Sequence, residues 1–266
     1  MAGGVTGLVA ALDLDLRSHA DGSATGVLPV AEGVVDGGLL AILADIVGGT
    51  VAIRAAAPCG ISTTSITVLS IAQDPGRGEL RASGAVVHRT RSSATVDVTF
   101  TSAADPSIQG VAIVGFRIWE ADGSLEPAPN RDKAAGDRSL AGEGRTVLDR
   151  PSAELASIGV DPAARSATVE LDDNVSNHIG ALLGGVMATL LESAARSGLG
   201  PGDRLRSMAV SYFAQARVGP VVATASASTP SVISVEAVDV GAERRVAHAV
   251  FHHGPNETDR TTGPNP

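Results

Sequence analysis

Two carboxylates, Asp45 and Glu192, each follow a glycine pair at the same spacing and could perform the same chemistry twice. Residues 33–45 (GVVDGGLLAILAD) align without a gap to residues 180–192 (GALLGGVMATLLE) at an offset of 147. A glycine that opens a helix presents free backbone N–H groups, which favour negative charge. A carboxylate can act as a general base or as a nucleophile. Together, these groups could polarise a carbonyl and activate water to attack it.

Each glycine pair opens an apolar stretch with helical spacing. The apolar stripe is Leu39, Ile42, Leu43 and Ile46 in the first copy and Leu182, Val186 and Leu190 in the second. A polar, strand-like run precedes each helix, at 23–30 and 166–171. Four β-rich segments follow each, at 62–72, 79–88, 93–101 and 110–119, then at 207–214, 218–228, 231–240 and 245–252.

The repeated order of elements predicts an α+β chain made of two similar halves, each an antiparallel sheet wrapped around one apolar helix. The predicted domains are an N-terminal half at 1–125 and a C-terminal half at 146–254. Residues 126–145 are rich in Pro, Gly and charge and are predicted to be a linker. Residues 255–266 are predicted to be a flexible tail.

Composition excludes several classes of function. The 266 residues carry a formal net charge of −9, and no basic stripe with interleaved aromatics is present, so a nucleic-acid partner is not expected. A single cysteine, Cys59, permits no intrachain disulfide, which fits a reducing compartment. No stretch approaches the roughly 20 apolar residues of a membrane span. We therefore expect a cytoplasmic protein without a membrane partner, and the histidines offer no spacing that indicates a metal site.

On these motifs the chain resembles the hotdog superfamily and, within it, the PaaI-like acyl-CoA thioesterases. In that branch an Asn lies six residues before a His-Gly-Gly at the start of the helix. An acidic residue lies eight positions after the first Gly, and a Ser or Thr lies near the start of the next strand. The resemblance covers nearly all of the chain, twice. It implies two tandem hotdog folds packed as an intramolecular pseudo-dimer.

The two halves match the family pattern unequally. The second half has Asn177 at the Asn position, followed by Gly184, Gly185 and Glu192. The first half has Gly37, Gly38 and Asp45, and its next strand begins Ser62-Thr63-Thr64. Unmatched positions are held by Val30 for the Asn, by Asp36 and Leu183 for the His, and by Leu205 for the strand Ser or Thr. The family His is missing from both halves.

The family combines residues of two hotdogs in each active site, with the Asn and helix-start Gly from one and the carboxylate and Ser or Thr from the other. Applied to a fused pair, this gives a first site of Asn177, Gly184, Asp45 and Thr63 or Thr64. The resemblance implies that Asp45 is the base or nucleophile, that Gly184 is the oxyanion donor, and that the other side chains hold water or substrate. The second site would combine Val30, Gly37, Glu192 and Leu205 and would have decayed.

The resemblance thus implies an acyl-CoA thioesterase with one composite active site. It requires no cofactor, because CoA belongs to the substrate, and the thiol carrier could instead be an acyl-carrier protein. The turn at His88, Arg89 and Arg91 would contact the nucleotide phosphates of CoA, or be only a solvated turn. A homodimer of the fused chain is expected.

Several alternatives stay open from sequence. The glycine pairs could serve only tight helix packing, Asn177 could be a helix cap or turn residue, and Asp36 could be a helix cap. Loss of the His could indicate a non-catalytic acyl-CoA or acyl-carrier binding protein. Asp173 and His178 have the spacing of a hotdog hydratase or dehydratase, although the rest of that motif is absent.

Overall fold

The protein is described by a computed structural model covering residues 8, 12–32, 35–69, 78–102, 109–120, 147–177, 179–200 and 202–255. Within this part of the chain, the strands of the first half are β1 (Asp15–Ser18), β2 (Ala24–Val30), β3 (Gly60–Val68), β4 (Gly78–Arg89), β5 (Ser93–Ser102) and β6 (Gln109–Trp119). Those of the second are β7 (Gly159–Asp161), β8 (Ser166–Val169), β9 (Asp203–Tyr212), β10 (Val221–Thr229), β11 (Val232–Asp239) and β12 (Arg244–Pro255).

All of these strands form one antiparallel sheet, in the order β1-β2-β4-β5-β6-β3-β9-β12-β11-β10-β8-β7. Reading inward from either edge gives the same chain order of strands, so the two halves have equivalent topology. They meet where β3 pairs with β9, with Ile66 opposite Val210. The long antiparallel sheet with few helices confirms the predicted fold class at the level of secondary structure and topology.

Alternating side chains explain why one face of the sheet is buried. In β5, Ala94, Val96, Val98 and Phe100 are buried, and the intervening residues are only partly so. This period of two places one row of side chains against the helix, as predicted for a half-buried strand.

Two long helices lie on the buried face. Helix α1 spans Gly37–Ala56 and α3 spans Gly184–Ser197, while α2 is a single turn at Ser152–Leu155. Helix α1 packs on β2 to β6, α3 packs on β8 and β10 to β12, and the two helices also pack against each other. This double contact explains why residues on nearly every side of α1 are buried. Asp36 caps α1, as anticipated, because its Oδ1 accepts a 2.7 Å hydrogen bond from the Leu39 N–H.

Helix α1 is long and apolar enough to cross a membrane by length and composition alone, with a mean hydropathy of 1.8 over its best window. That finding departs from the sequence-based expectation that no stretch meets this criterion. However, 61% of the window is buried inside the protein, and the core helix of a folded domain meets the same criterion.

The short elements β1, β7 and α2 were not anticipated from sequence, and β3 and β9 each begin a few residues before the predicted segments. Strands of three or four residues are too short to show a period of two, so pattern reasoning does not detect them. The predicted linker at 126–145 and the tail beyond Pro255 lie outside the described residues, as does Gly33 of the repeated motif.

Candidate active site

The two carboxylates of the repeated motif each reach across to the start of the other half's helix. Asp45 lies in α1 and contacts the first residues of α3, while Glu192 lies in α3 and contacts the first residues of α1. Helix N-termini attract anions because their first N–H groups have no partner within the helix. The repeated sequence therefore builds two reciprocal contacts between the halves.

We define the first site as Asp45, Thr63, Gly184, Gly185 and Tyr212. Asp45 Oδ2 accepts a 3.0 Å hydrogen bond from the Gly185 N–H, and Oδ1 accepts a 2.8 Å hydrogen bond from the Thr63 hydroxyl. The structure thus brings together three of the predicted residues, namely Asp45, Gly184 and Thr63, and it does so across the two halves.

The two glycines of the first site have different steric reasons for lacking a side chain. A Cβ on Gly184 would lie 3.0 Å from both carboxylate oxygens of Asp45, so a side chain there would press on the carboxylate. A Cβ on Gly185 would lie 2.5 Å from the Ile42 Cα, which no rotamer change could relieve. Gly185 therefore permits the close crossing of the helices, and Gly184 leaves room for the carboxylate.

The charge state of Asp45 depends on opposing effects. Burial raises the pKa of this carboxyl group, while hydrogen bonds from Thr63, Gly185 and Gly184 act to lower the pKa. All three of these neighbours donate, and an ionised carboxylate is the form that accepts them best. The group is thus a partly buried base with its oxygens oriented by donors.

The Gly184 N–H differs from the expectation of a free oxyanion donor. It already interacts with the Asp45 carboxylate, alongside the Gly185 N–H. The physical reason is that the start of α3 attracts the nearest anion, and the other half places a carboxylate there. An incoming carbonyl oxygen would therefore have to share or displace this contact.

Tyr212 is a member of the first site that sequence reasoning missed. It ends β9, and its hydroxyl donates a 2.7 Å hydrogen bond to the Gly184 carbonyl oxygen. Burial, together with the nearby Asp45 carboxylate, raises the pKa of Tyr212 well above its ordinary value. One available signal was that Tyr212 is the only tyrosine in the chain and lies in the β-rich segment predicted at 207–214.

The strand predicted to supply a Ser or Thr contains a bulge that separates the two candidates. The pairing of β3 with β6 shifts register between Thr63 and Ser65, and Thr64 is exposed. Thr63 therefore turns its hydroxyl toward Asp45, whereas Thr64 does not contact that carboxylate among the described hydrogen bonds. A bulge of this kind is not readable from two adjacent threonines.

Asn177 lies in the turn that precedes α3. Its Oδ1 accepts 3.1 Å hydrogen bonds from the N–H groups of Ile179 and Ala181. This is the turn role that the sequence left open, and no described hydrogen bond joins Asn177 to Asp45. Its catalytic role stays a prediction.

We define the second site as Glu192, Arg196, Gly37, Gly38 and Asp36. Glu192 accepts hydrogen bonds from the Gly37 N–H, at 3.2 Å, and from the Gly38 N–H. Its Oε1 also accepts from Arg196 Nη2 at 2.7 Å and from Arg196 Nε at 3.1 Å. A guanidinium therefore neutralises this carboxylate, where the first site uses a threonine hydroxyl.

The second site is closed by the chain that leads into the second half. Ser152 Oγ donates to both oxygens of Asp36, at 2.9 and 3.1 Å, and a Cβ on Gly38 would lie 2.5 Å from that hydroxyl. Glu192 is only 2% exposed. Burial, and then the Asp36 carboxylate, raise the pKa of Glu192 to about 7, although Arg196 and the Gly38 N–H favour ionisation.

Two further positions that the sequence analysis assigned to the second site are apolar. Val30 and Leu205, which stand where the family has its Asn and its Ser or Thr, are both buried in the hydrophobic core. Neither can hold a water by side-chain hydrogen bonding. The second site thus keeps its carboxylate and its helix start, and lacks the Asn and the Ser or Thr of the family pattern.

The basic turn lies three strands across the sheet from Thr63 of the first site. His88, Arg89 and Arg91 are exposed where β4 turns into β5, and Arg91 forms a 3.1 Å ion pair with Glu120. Arg89 pairs with Ala94, which pairs with Phe116, which pairs with Thr63. Three strand spacings put the Arg89 backbone about 14 Å from that of Thr63, at the same level of the sheet.

Two other predictions concern the hydratase pair, Asp173 and His178, and metal binding. Asp173 is exposed in the turn after β8, and His178 lies outside the described residues, so the hydratase pair is not described together. Within the described ranges, no group of three or more His, Cys, Asp or Glu could hold a metal ion.

Comparison with solved structures places this chain among proteins of the same fold. An acyl-ACP thioesterase from Bacteroides thetaiotaomicron has a TM-score of 0.58 at 14% identity, covering 90% of this chain and 100% of that one. A tesB protein from Mycobacterium avium subspecies paratuberculosis has a TM-score of 0.55 at 14% identity, covering 95% and 100%. A 12:0-ACP thioesterase from Umbellularia californica has a TM-score of 0.52 at 12% identity, covering 81% and 82%.

The chain therefore has a hotdog-type fold. At sequence level, no family model matches the chain, and no curated protein matches it.

Proposed function

We propose that this protein is a thioesterase that hydrolyses an acyl-CoA thioester at the first site. The observation that carries the proposal is the placement of the Asp45 carboxylate, which Thr63 and the start of α3 hold from two different halves. The fold shared with several thioesterases supports it. The spacing of eight residues from the first glycine to the carboxylate in each copy of the motif, Gly37 to Asp45 and Gly184 to Glu192, supports assignment to the PaaI-like branch.

We also propose that the chain is a tandem of two hotdog domains packed as a pseudo-dimer. The equivalent strand order in the two halves and their junction at β3 and β9 support this arrangement. So does the reciprocal contact of each carboxylate with the other half's helix. We further propose that the fused chain forms a homodimer in the cytoplasm.

In the proposed reaction, Asp45 accepts a proton from water as the water oxygen bonds to the thioester carbonyl carbon. The tetrahedral intermediate collapses, the C–S bond breaks, and the departing CoA thiolate takes up the proton that Asp45 had accepted. The products are a free acid and CoA. The alternative is direct attack by Asp45 on the carbonyl carbon, which breaks the C–S bond, releases CoA as its thiolate and gives an anhydride. Water then cleaves this anhydride to the free acid and regenerates the Asp45 carboxylate.

The start of α3 would stabilise the developing oxyanion. Gly184 has no side chain to obstruct a carbonyl, and its N–H lies at the positive end of the helix. The carbonyl oxygen would share this N–H with Asp45, whose carboxylate loses its negative charge as it takes the proton. The Gly184 N–H can therefore stabilise the oxyanion at the stage when Asp45, now neutral, binds this N–H less strongly.

The turn at His88, Arg89 and Arg91 is the part of the chain that we propose contacts the CoA phosphates. Its exposed basic side chains lie at the level of Thr63 in the sheet. The equivalent turn between β10 and β11 has Thr229, Pro230 and Ser231 and offers no positive charge. This asymmetry is consistent with a single productive site.

A non-catalytic thioester-binding protein is the second candidate. It is favoured by the full hydrogen bonding of Asp45 in the absence of the family His. These donors offset part of the rise in pKa that burial causes, so Asp45 is a weaker base than an equally buried carboxylate without them.

The two candidates are tested by measuring the release of free thiol from a panel of thioesters. The panel contains acyl-CoA and acyl-carrier-protein thioesters with short, long and aromatic acyl groups. Turnover of CoA thioesters supports the proposal, and turnover of carrier-protein thioesters alone would correct the substrate. If no thioester turns over while calorimetry detects binding, the protein is the binding protein and the thioesterase proposal is wrong.

A further inference from the structure

The hydroxyl of Tyr212 and the carboxylate of Asp45 contact opposite ends of the same peptide unit. Tyr212 donates to the Gly184 carbonyl oxygen at 2.7 Å, and the N–H of that peptide, which belongs to Gly185, donates to Asp45 Oδ2 at 3.0 Å. The chain of contacts is therefore phenol O–H to carbonyl oxygen, then amide N–H to carboxylate oxygen.

We propose that Tyr212 is a positioning residue that acts on Asp45 through the Gly184–Gly185 peptide. Its hydroxyl fixes the orientation of this peptide, so that the Gly185 N–H is aimed at the carboxylate. The meaning of this role for catalysis rests on the proposed function, but the contact itself is a property of the folded chain.

Hydrogen bonds at the two ends of an amide strengthen each other. A donor on the carbonyl oxygen polarises the peptide and makes its N–H a better donor, most strongly where water is excluded. Tyr212 is suited to this task because burial and the nearby Asp45 keep the phenol protonated. A phenol that stays neutral remains a donor at every pH at which Asp45 titrates.

The second site uses a different means of holding its carboxylate. Glu192 accepts from two backbone N–H groups at the start of α1 and directly from the Arg196 guanidinium. The fixed positive charge of Arg196 favours the ionised form of Glu192 and so opposes the rise in pKa that burial and Asp36 cause there. The neutral phenol of Tyr212 orients the Gly185 donor toward Asp45 without adding a positive charge to that site.

The proposal is tested by comparing the pKa of Asp45 in the wild type and in Tyr212→Phe. This pKa is measured by 13C NMR on protein labelled in aspartate side chains. Asp45→Asn identifies the resonance, and Ser211→Ala, at the exposed neighbouring position of β9, is the control. Loss of the phenol hydroxyl weakens the Gly185 donor, so the pKa of Asp45 rises by about half a unit to one unit. Ser211→Ala leaves it unchanged.

A second measurement does not depend on how well Tyr212→Phe folds. Because the chain has one tyrosine, growth on 3-fluorotyrosine alters Tyr212 alone. The fluorinated phenol is more acidic and a stronger donor, so the pKa of Asp45 shifts downward, opposite to the shift in Tyr212→Phe. Opposite shifts support the proposal, whereas an unchanged Asp45 pKa in both proteins overturns it.

The acid limb of the pH–rate profile gives the catalytic readout. In Tyr212→Phe the limb moves upward with the Asp45 pKa, and kcat falls roughly three- to tenfold while KM changes little. Inactivity of the wild type on every thioester would contradict the proposed function while leaving the NMR result intact. The two failures are therefore distinguishable.

Discussion

The two sites are built from the same sequence motif, but their carboxylates have different surroundings. In the first, Asp45 is held by a hydroxyl and backbone N–H groups and is partly buried. In the second, Glu192 is almost fully buried, pairs with Arg196 and is near Asp36, which Ser152 holds. Each carboxylate contacts the start of the other half's helix. The comparison shows that such a duplicated carboxylate can become either a candidate base or a contact that holds the two helices together, depending on which side chain it pairs with.

Substitutions at the second glycine of each pair separate the two helix crossings. Gly185→Ala should lower the free energy of unfolding by about 3 kcal/mol, because its Cβ would lie 2.5 Å from the backbone of Ile42. Gly38→Ala should cost less, about 2 kcal/mol, because its Cβ would meet side-chain atoms of Ser152 and Thr189 instead of backbone, although moving Ser152 breaks its hydrogen bonds to Asp36.

Urea denaturation of both glycine variants measures this difference. Equal losses of stability would show that the helices pack equally tightly at Gly185 and at Gly38. Helix packing would then not be a difference between the two sites.

Titration of Glu192 should make the stability of the protein depend on pH. Its pKa is raised from 4.5 to about 7 in the folded state, so the folded chain binds more protons than the unfolded chain between these values. Stability is therefore fully present below pH 4.5 and is lost as pH rises through 7, by about 3 kcal/mol. Burial of Asp45 acts with the same sign.

Glu192→Gln removes this contribution, so the pH dependence of its urea midpoint should be flatter than that of the wild type between pH 4.5 and 8. Asp36→Asn is the matched variant, since it removes the neighbouring charge that also raises the pKa of Glu192. A Glu192→Gln protein with the same pH dependence as the wild type would show that Glu192 ionises normally.

Thr63→Val should lower kcat/KM about tenfold, because one donor to Asp45 is lost. The acid limb of the pH–rate profile should also move upward, since that donor opposes the raised pKa of Asp45. Thr64→Val, the adjacent exposed position, is the control and should retain activity within about twofold. A larger loss in Thr64→Val would mean that the bulge presents the other hydroxyl to the substrate.

The smallest expected effect concerns the turn between β4 and β5. Arg89→Gln should raise KM for acyl-CoA roughly two- to fivefold at low salt, as expected for one exposed charge contact. Arg91→Gln should do less, because Arg91 already pairs with Glu120. KM values that do not change with either variant or with salt would place the CoA phosphates elsewhere.

Sequence patterns predicted much of the fold, for reasons visible in single elements. The alternation in β5 and the helical stripe with Leu39, Ile42 and Leu43 are both buried as expected. The repeated glycine and carboxylate spacing placed Asp45 opposite Gly184, once the family's exchange of residues between halves was applied.

Details of the site depended on contacts that no local pattern encodes. Tyr212 is 28 residues from Gly184, and Ser152 is 116 residues from Asp36, so neither contact has a sequence signature. Arg196 follows Glu192 at a spacing of four and could have been read as a helical ion pair, which would have predicted a neutralised second carboxylate.

The most direct test of the account compares Asp45→Asn with Glu192→Gln in hydrolysis of the best acyl-CoA substrate, followed by thiol release. Both variants replace a carboxylate by its amide at equivalent positions of the two halves. The account predicts that Asp45→Asn reduces kcat at least about 100-fold, as for loss of a general base, and that Glu192→Gln retains it within about twofold. Loss of activity in Glu192→Gln with full activity in Asp45→Asn would place the chemistry in the second site and contradict the account.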